Sequence, residues 1–138
     1  MYRYLPGGDL LHFCNTNGLP LKEAAISTIG VSLLRALIYL HQNNVVHADV
    51  KLENCLFAND QIDSLQLVDF GLSVTLNDSR QVPDGVRGTL NYMAPEILLA
   101  TEGKPMIPQI YNRTDVWAAG VILFTLSMGF LPFNGTTE

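Results

Sequence analysis

Between Leu21 and Asn43 apolar residues recur every three or four positions. Ile26, Ile29, Leu33, Leu37 and Leu40 form one stripe, with Gly30, Leu34 and Ile38 beside it. That spacing predicts one long amphipathic helix, stopped by Asn43-Asn44. Upstream, Tyr2 to Leu5 reads as the end of a strand and Pro6-Gly7-Gly8 as a turn. Asp9 then stands where a helix carrying Leu10, Leu11 and Phe13 starts, and Asn17-Gly18-Leu19-Pro20 turns the chain again. Downstream the pattern shortens. Val45-Val46 and Cys55-Leu56-Phe57 are brief apolar runs, Asn59-Asp60 is a turn, and Leu65-Gln66-Leu67-Val68 alternates as a strand does, so a hairpin is expected there. Ser73 to Arg87 is polar and irregular and reads as a surface loop. A short helix runs on from Pro95 through Ile97 to Ala100, Thr101 to Thr114 reads as a loop, and a further helix begins at Asp115.

Val116 to Phe133 carries no charge, which raises the question of a membrane span. Gly129 and Pro132 cut the helical part short near Met128. About 13 residues at 1.5 Å each do not cross a hydrocarbon layer of roughly 30 Å. The segment is therefore expected to be a buried core helix, with no membrane partner.

Bulk properties narrow the classes further. A chain of 138 residues suffices for one domain with a real core. A net charge of −5 with only 8 Lys and Arg argues against nucleic acid as a partner. Cys14 and Cys55 are too few for a disulfide scaffold, and they read as reduced, buried thiols of an intracellular protein. No basic segment precedes an apolar stretch at the N-terminus, so a secretory signal is not expected. The expected location is the cytoplasm, with the nucleus also open.

Three motifs carry the chemistry. His47-Ala48-Asp49-Val50-Lys51-Leu52-Glu53-Asn54 is followed by Leu67-Val68-Asp69-Phe70-Gly71-Leu72 and then by Gly88-Thr89-Leu90-Asn91-Tyr92-Met93-Ala94-Pro95-Glu96. Singly, an Asp or Asn on a loop is usually a turn or cap residue. The signal is the joint spacing, Asp-x-Lys-x-x-Asn and then Asp-Phe-Gly after one hairpin. In that order and spacing the chain resembles the C-terminal lobe of a eukaryotic serine/threonine protein kinase, over nearly its whole length. Asp115-Val116-Trp117, Gly120-Val121-Ile122-Leu123 and Leu131-Pro132-Phe133 resemble the calmodulin-dependent and AMP-activated kinase branch.

The resemblance implies an α+β, mainly α, protein-kinase-like fold: a helical C-lobe with a small β-hairpin, the N-lobe absent. Residues 1–138 would form a partial kinase domain, from the hinge to the buried central helix of the lobe. It implies ATP and Mg2+ as cofactors and protein Ser/Thr hydroxyls as acceptors. Phosphoryl transfer needs the acceptor in line, metal ions to neutralise charge, and a base for the hydroxyl proton. Asp49 is the candidate base. Asn54 offers an amide oxygen suited to Mg2+, and Asp69 a carboxylate able to bridge metal and phosphates. Lys51 places a positive charge beside Asp49, and by resemblance marks serine/threonine rather than tyrosine specificity. Leu5 resembles the last hinge residue, whose backbone meets adenine, Leu56 the floor of the adenine pocket, and Asp9 the acidic residue near ribose and substrate. His47 and Phe70 resemble the stacked ladder that aligns the two lobes, and Asp115 the helix-start aspartate anchoring the catalytic loop; ordinary core packing and an N-cap are their simpler readings. Thr89 and Tyr92 resemble the loop receiving the residue after the target. Glu53 sits where basic-directed kinases receive a substrate arginine; with Asp9 it implies basic residues before the target, and a plain solvated surface is the other reading.

The sequence also departs from that family. Ala48 replaces the arginine that pairs with a phosphorylated activation loop, so switching through Ser73, Thr75 or Ser79 should be weak. The stretch between Glu96 and Asp115 is longer than usual and reads as surface slack, with a partner surface at Lys104 to Pro108 as the other reading. No glycine-rich loop and no upstream strand lysine are present, so the chain is expected to be a piece of a kinase, inactive by itself. Two other readings stay open: a pseudokinase, and an ATP-independent interaction module made from a truncated C-lobe.

Overall fold

The computed structural model describes residues 5–76, 88–100 and 111–134. The strand expected at Tyr2 to Leu5, most of the loop after Leu76, the stretch 101–110 and Ser79 lie largely or wholly outside them. Within them the chain forms four helices and two small antiparallel pairs of strands. In order these are α1 (Leu10–Asn17), α2 (Glu23–Gln42), β1 (Val45–Val46), β2 (Cys55–Phe57), β3 (Leu65–Leu67), β4 (Val74–Thr75), α3 (Pro95–Ala100) and α4 (Arg113–Met128). Single 3-10 turns at Leu52–Asn54 and Leu90–Tyr92 lie inside the two longest motifs.

Asp9 caps α1, its carboxylate accepting the His12 N–H at 2.7 Å. The buried side of α1 carries Leu10 and Cys14, and Phe13 meets Phe57 of β2 at a tilt, with ring centroids 5.3 Å apart. Helix α2 follows its sequence stripe: Ile29, Gly30, Leu33 and Leu37 are buried, and Ile26 and Leu40 partly so. Leu34 and Ile38, one position off the stripe, are exposed. By length and composition α2 is the one helix among the described residues that could cross a membrane. Its buried stripe packs on α4 and β3, which makes it the central core helix. Each such Leu or Ile contributes about 1.5–3 kcal/mol by leaving water. At Gly30 a side chain would press on Leu123, so the absent Cβ sets how closely α2 and α4 cross.

The expected hairpin is β2–β3, in the register Cys55 with Leu67 and Phe57 with Leu65. A second pair, β1–β4, joins Val46 to Val74 and was not expected, because Val74-Thr75 falls inside the polar run after Asp-Phe-Gly. It closes a small second core of Val46, Val74, Ala94, Ile97 and Tyr111.

Two corrections concern α4. It begins at Arg113, two residues before Asp115, so Asp115 is a first-turn residue and not the N-cap. It is also buried on one face only. Ala118, Ala119, Val121, Ile122, Thr125 and Leu126 are inside, whereas Val116, Trp117, Phe124 and Met128 are exposed. Gly129 ends the helix in the left-handed region at φ 84, a conformation that costs a Cβ-bearing residue more. The Leu126 carbonyl near that end accepts from the Leu21 N–H at 2.9 Å, tying the α1–α2 connection to α4.

Candidate active site

The segment from His47 to Asn54 connects β1 to β2 and is held from below by α4. Asp115, almost fully buried, accepts the backbone N–H of His47 on Oδ2 and that of Ala48 on Oδ1, each at 2.9 Å. Ala48 itself has φ 65, a left-handed conformation that costs a non-glycine residue on the order of 1–3 kcal/mol and that surrounding contacts must hold. Next to it, the Asp49 N–H points at His47 Nδ1 at 3.3 Å, and His47 Nε2 lies 2.9 Å from the Val68 carbonyl. Nδ1 is thus the acceptor, which puts the ring proton on Nε2, donating to Val68. The Val68 N–H donates in turn to the Asn54 carbonyl at 3.0 Å. Val68 is therefore fixed from two sides by the 47–54 segment, and this sets where Asp69 emerges. The rings of His47 and Phe70 meet at 5.0 Å, tilted by 57°.

The Asp49 carboxylate, buried to 8% exposure, gathers three donors. Lys51 Nζ is 2.7 Å and Asn54 Nδ2 3.1 Å from Oδ2, and the Thr89 hydroxyl donates to Oδ1 at 2.8 Å. Lys51 Nζ also donates to Thr89 Oγ1 at 3.0 Å, closing a ring of three side chains. Thr89 comes from the third motif, across Gly88. That glycine has φ 104, and a Cβ on it would lie 2.7 Å from the Ala48 carbonyl oxygen. The Asp-x-Lys-x-x-Asn spacing thus brings its three polar residues to one point, and the third motif adds a fourth.

Asp69 is exposed and left-handed, at φ 60, its Oδ1 accepting the Gly71 N–H at 3.2 Å. Its backbone adjoins the Asn54 segment, while its carboxylate bonds within its own turn. Leu56 on β2 bridges to Asp9, and the Phe57 N–H donates to the Gly8 carbonyl at 2.9 Å, so the 7–9 segment runs beside β2. Asp9 spends one oxygen on the cap of α1. Leu5, half-buried, lies just before the turn at Pro6 and Gly7 and shares no hydrogen bond with the Asp49 cluster. Glu53 is exposed on the 3-10 turn. Among the described residues no group of three His, Cys, Asp or Glu side chains is placed to hold a metal ion. One amide and one carboxylate oxygen, from Asn54 and Asp69, suit a hard ion that keeps waters and substrate phosphates as its other ligands.

The sequence motifs did not single out His41, whose Nε2 lies 2.9 Å from Asp115 Oδ2. No spacing signal relates a residue at the end of α2 to one near the start of α4, 74 positions away.

Compared with known proteins, the whole chain, residues 1–138, matches the protein kinase domain. The chain belongs to the protein kinase family. It is 36% identical over 131 residues to calcium-dependent protein kinase 6 of Plasmodium berghei, covering 95% of this chain and 8% of that protein. It is 36% identical over 134 residues to the serine/threonine-protein kinase ppk25 of Schizosaccharomyces pombe, covering 97% of this chain and 30% of the relative. With the calcium/calmodulin-dependent protein kinase cmkA of Emericella nidulans it shares 37% over 130 residues, 93% of this chain and 29% of the relative. The chain thus spans under a third of the length of these relatives. The kinase-like fold expected from the motifs, mostly helical with small antiparallel strand pairs, is the fold observed.

Proposed function

We propose that this kinase-family chain carries the phosphotransfer centre of a serine/threonine protein kinase, which moves the γ-phosphoryl group of Mg·ATP to Ser or Thr hydroxyls of proteins. The single observation supporting it most is the Asp49 carboxylate, buried and gripped by Lys51, Asn54 and Thr89. Its three donors fix the orientation of a group that receives the acceptor's proton as the new O–P bond forms and the bond to ADP breaks. Lys51, between Asp49 and Thr89, stabilises charge moving onto the transferred group. Asn54, its nitrogen engaged with Asp49, would hold Mg2+ through its amide oxygen, and Asp69 would add a carboxylate. That ion, when bound, would supply charge neutralisation at the phosphates. By resemblance, Leu56 and the backbone at Leu5 would border the adenine, and Asp9 would lie toward ribose and substrate.

We further propose that substrates carry basic residues before the target hydroxyl, met by the exposed Glu53 carboxylate and by Asp9. Both readings are tested on the full-length protein with Mg·ATP and Ser/Thr peptides. Asp49→Asn is expected to cost on the order of 10²–10⁴ in rate while nucleotide binding persists. Equal rates for the variant and the parent would overturn the assignment of Asp49. Glu53→Gln should narrow the preference for arginine-containing peptides over arginine-free ones, and an unchanged ratio removes the substrate reading alone.

A further inference from the structure

The β2–β3 hairpin has one edge covered and one edge open. The Ala58 N–H donates to the Ser64 carbonyl and the Val68 N–H to the Asn54 carbonyl, so Leu56 with Gln66 is the hydrogen-bonded pair between them. Cys55 with Leu67 and Phe57 with Leu65 are then the alternate kind of pair, whose main-chain groups turn outward. On the β2 side, Phe57 has both groups bonded, its N–H to Gly8 and its carbonyl to Gly7. On the β3 side, the N–H and carbonyl groups of Leu65 and Leu67 make no outward hydrogen bond among the described residues. Such a row is a template for another strand.

That strand lines a cleft of about 560 Å3 shared with one face of α2, within the roughly 300–1,000 Å3 of ordinary ligand sites. One end is closed, where the Ser32 hydroxyl donates to the Asp63 carbonyl at 3.1 Å. From that point α2 rises about 1.5 Å per residue and β3 about 3.3 Å. Arg35 and Ala36 therefore fall beside Leu65, and Tyr39 and Leu40 beside Leu67. Arg35 is exposed and has no ion pair or hydrogen bond among the described residues. A free guanidinium at the rim of a row of open main-chain groups suits a carboxylate.

We propose that the open edge of β3 docks an extended peptide segment of a partner protein, carrying an apolar residue and, two positions later, an acidic one. The segment lies antiparallel to β3 and pairs its main chain with Leu67 and then Leu65. Side chains two apart share a face, so the apolar one rests on Leu40 while the carboxylate meets Arg35. The cleft shares no residue with the Asp49 cluster, and this docking goes beyond the transfer reading without depending on it.

The experiment follows the anisotropy of a fluorescein-labelled peptide, Ser-Thr-Leu-Thr-Glu-Thr-Ser, with the full-length protein. Arg35→Glu is expected to weaken binding about tenfold, and a lysine in place of the peptide glutamate should restore most of it. N-methylation of the peptide leucine, whose N–H faces β3, should also weaken binding about tenfold. Methylation of the threonine after it, whose N–H faces away, should leave binding within about twofold. Equal affinity of the parent and Arg35→Glu overturns the proposal. So does equal affinity of the two methylated peptides, or no binding at about 1 mM peptide. The peptide variants decide the matter even where Arg35→Glu does not fold. Hydrogen exchange at Leu65 and Leu67 reads the other occupants: fast exchange that slows on adding peptide is expected. Amides protected before any peptide is added mean that the protein's own chain fills the edge. Protection that grows with protein concentration means that a second copy does, and either result overturns the proposal.

Discussion

Asn54 grips Asp49 twice: its Nδ2 donates to the Asp49 main-chain carbonyl at 2.8 Å and to the Asp49 carboxylate at 3.1 Å. The amide is only 6% exposed, so these bonds form in a dry setting where a lost donor is expensive. They also decide which end of the amide remains for a metal, since the nitrogen is spent and the oxygen is left.

Asn54→Ala should therefore lower both stability and activity. Leaving the Asp49 carbonyl without its donor is expected to cost about 1–3 kcal/mol in urea unfolding. Activity in the full-length protein should fall at least about tenfold to a hundredfold, partly recoverable with higher Mg2+. A loss of stability with no change in Mg2+ dependence would separate the two roles and remove the metal assignment.

Thr89 makes a sharper kinetic test, because its hydroxyl both donates to Asp49 and accepts from Lys51. Thr89→Val keeps the shape and deletes both bonds, and should reduce kcat roughly tenfold, equivalent to about 1.4 kcal/mol. Thr89→Ser keeps the hydroxyl and should retain most of the rate. Equal rates for Val and Ser variants would show that the bridge to Asp49 is idle.

Backbone strain near Ala48 gives two variants of opposite sign. Gly88→Ala adds a Cβ in a left-handed conformation and 2.7 Å from the Ala48 carbonyl, and should destabilise by about 2–4 kcal/mol. Ala48→Gly relieves about 1–2 kcal/mol of left-handed strain and adds about 0.4–1 kcal/mol of unfolded-chain entropy. The net is a small gain, about 0.5–1 kcal/mol, read as a higher urea midpoint.

Alkaline pH should weaken the fold through its buried thiols and one phenol. Burial first, and the nearby Glu53 charge second, push the Cys55 thiol from 9.0 up to about 12. Burial and Asp9 raise Cys14 to about 11, and burial followed by Glu53 raises Tyr92 from 10.0 to about 12. Below pH 9 folded and unfolded chains both hold the thiol protons, so this contribution is fully present. Between pH 9 and 12 the unfolded chain sheds protons that the native one keeps, and Cys55 alone removes stability at up to about 1.4 kcal/mol per pH unit. Urea midpoints measured from pH 8 to 11 should fall, and Cys55→Ala should flatten the decline. The same raised values predict thiols inert to alkylation at neutral pH until the protein unfolds.

Much of this was legible in the chain because local spacing produced it. The stripe from Ile26 to Leu40 fixed α2 nearly to the residue, the Asp9 cap announced α1, and Asp-x-Lys-x-x-Asn placed three polar groups within one short loop. What escaped is non-local. The β1–β4 pair uses two-residue strands, too short for alternation to show, and its stability comes from Val46 and Val74 packing with Ala94 and Ile97. Helix α4 starts two residues ahead of Asp115, which resembles a start signal in the sequence. Its carboxylate is occupied by loop amides and by His41 instead of its own helix end. An uncharged stretch such as Val116 to Met128 reveals apolarity, but not which half of it meets the core.

One consequence of the half-covered α4 is experimental. Its outer face holds the only tryptophan of the sequence, Trp117, two residues past Asp115 and lying nearly parallel to the ring of Phe133 at 5.4 Å. Indole emission from this molecule therefore arises from one place, on the same helical turn that carries the anchor of the loop. A shift in its wavelength or lifetime on adding nucleotide, magnesium or a peptide would give a label-free optical signal of events at Asp49.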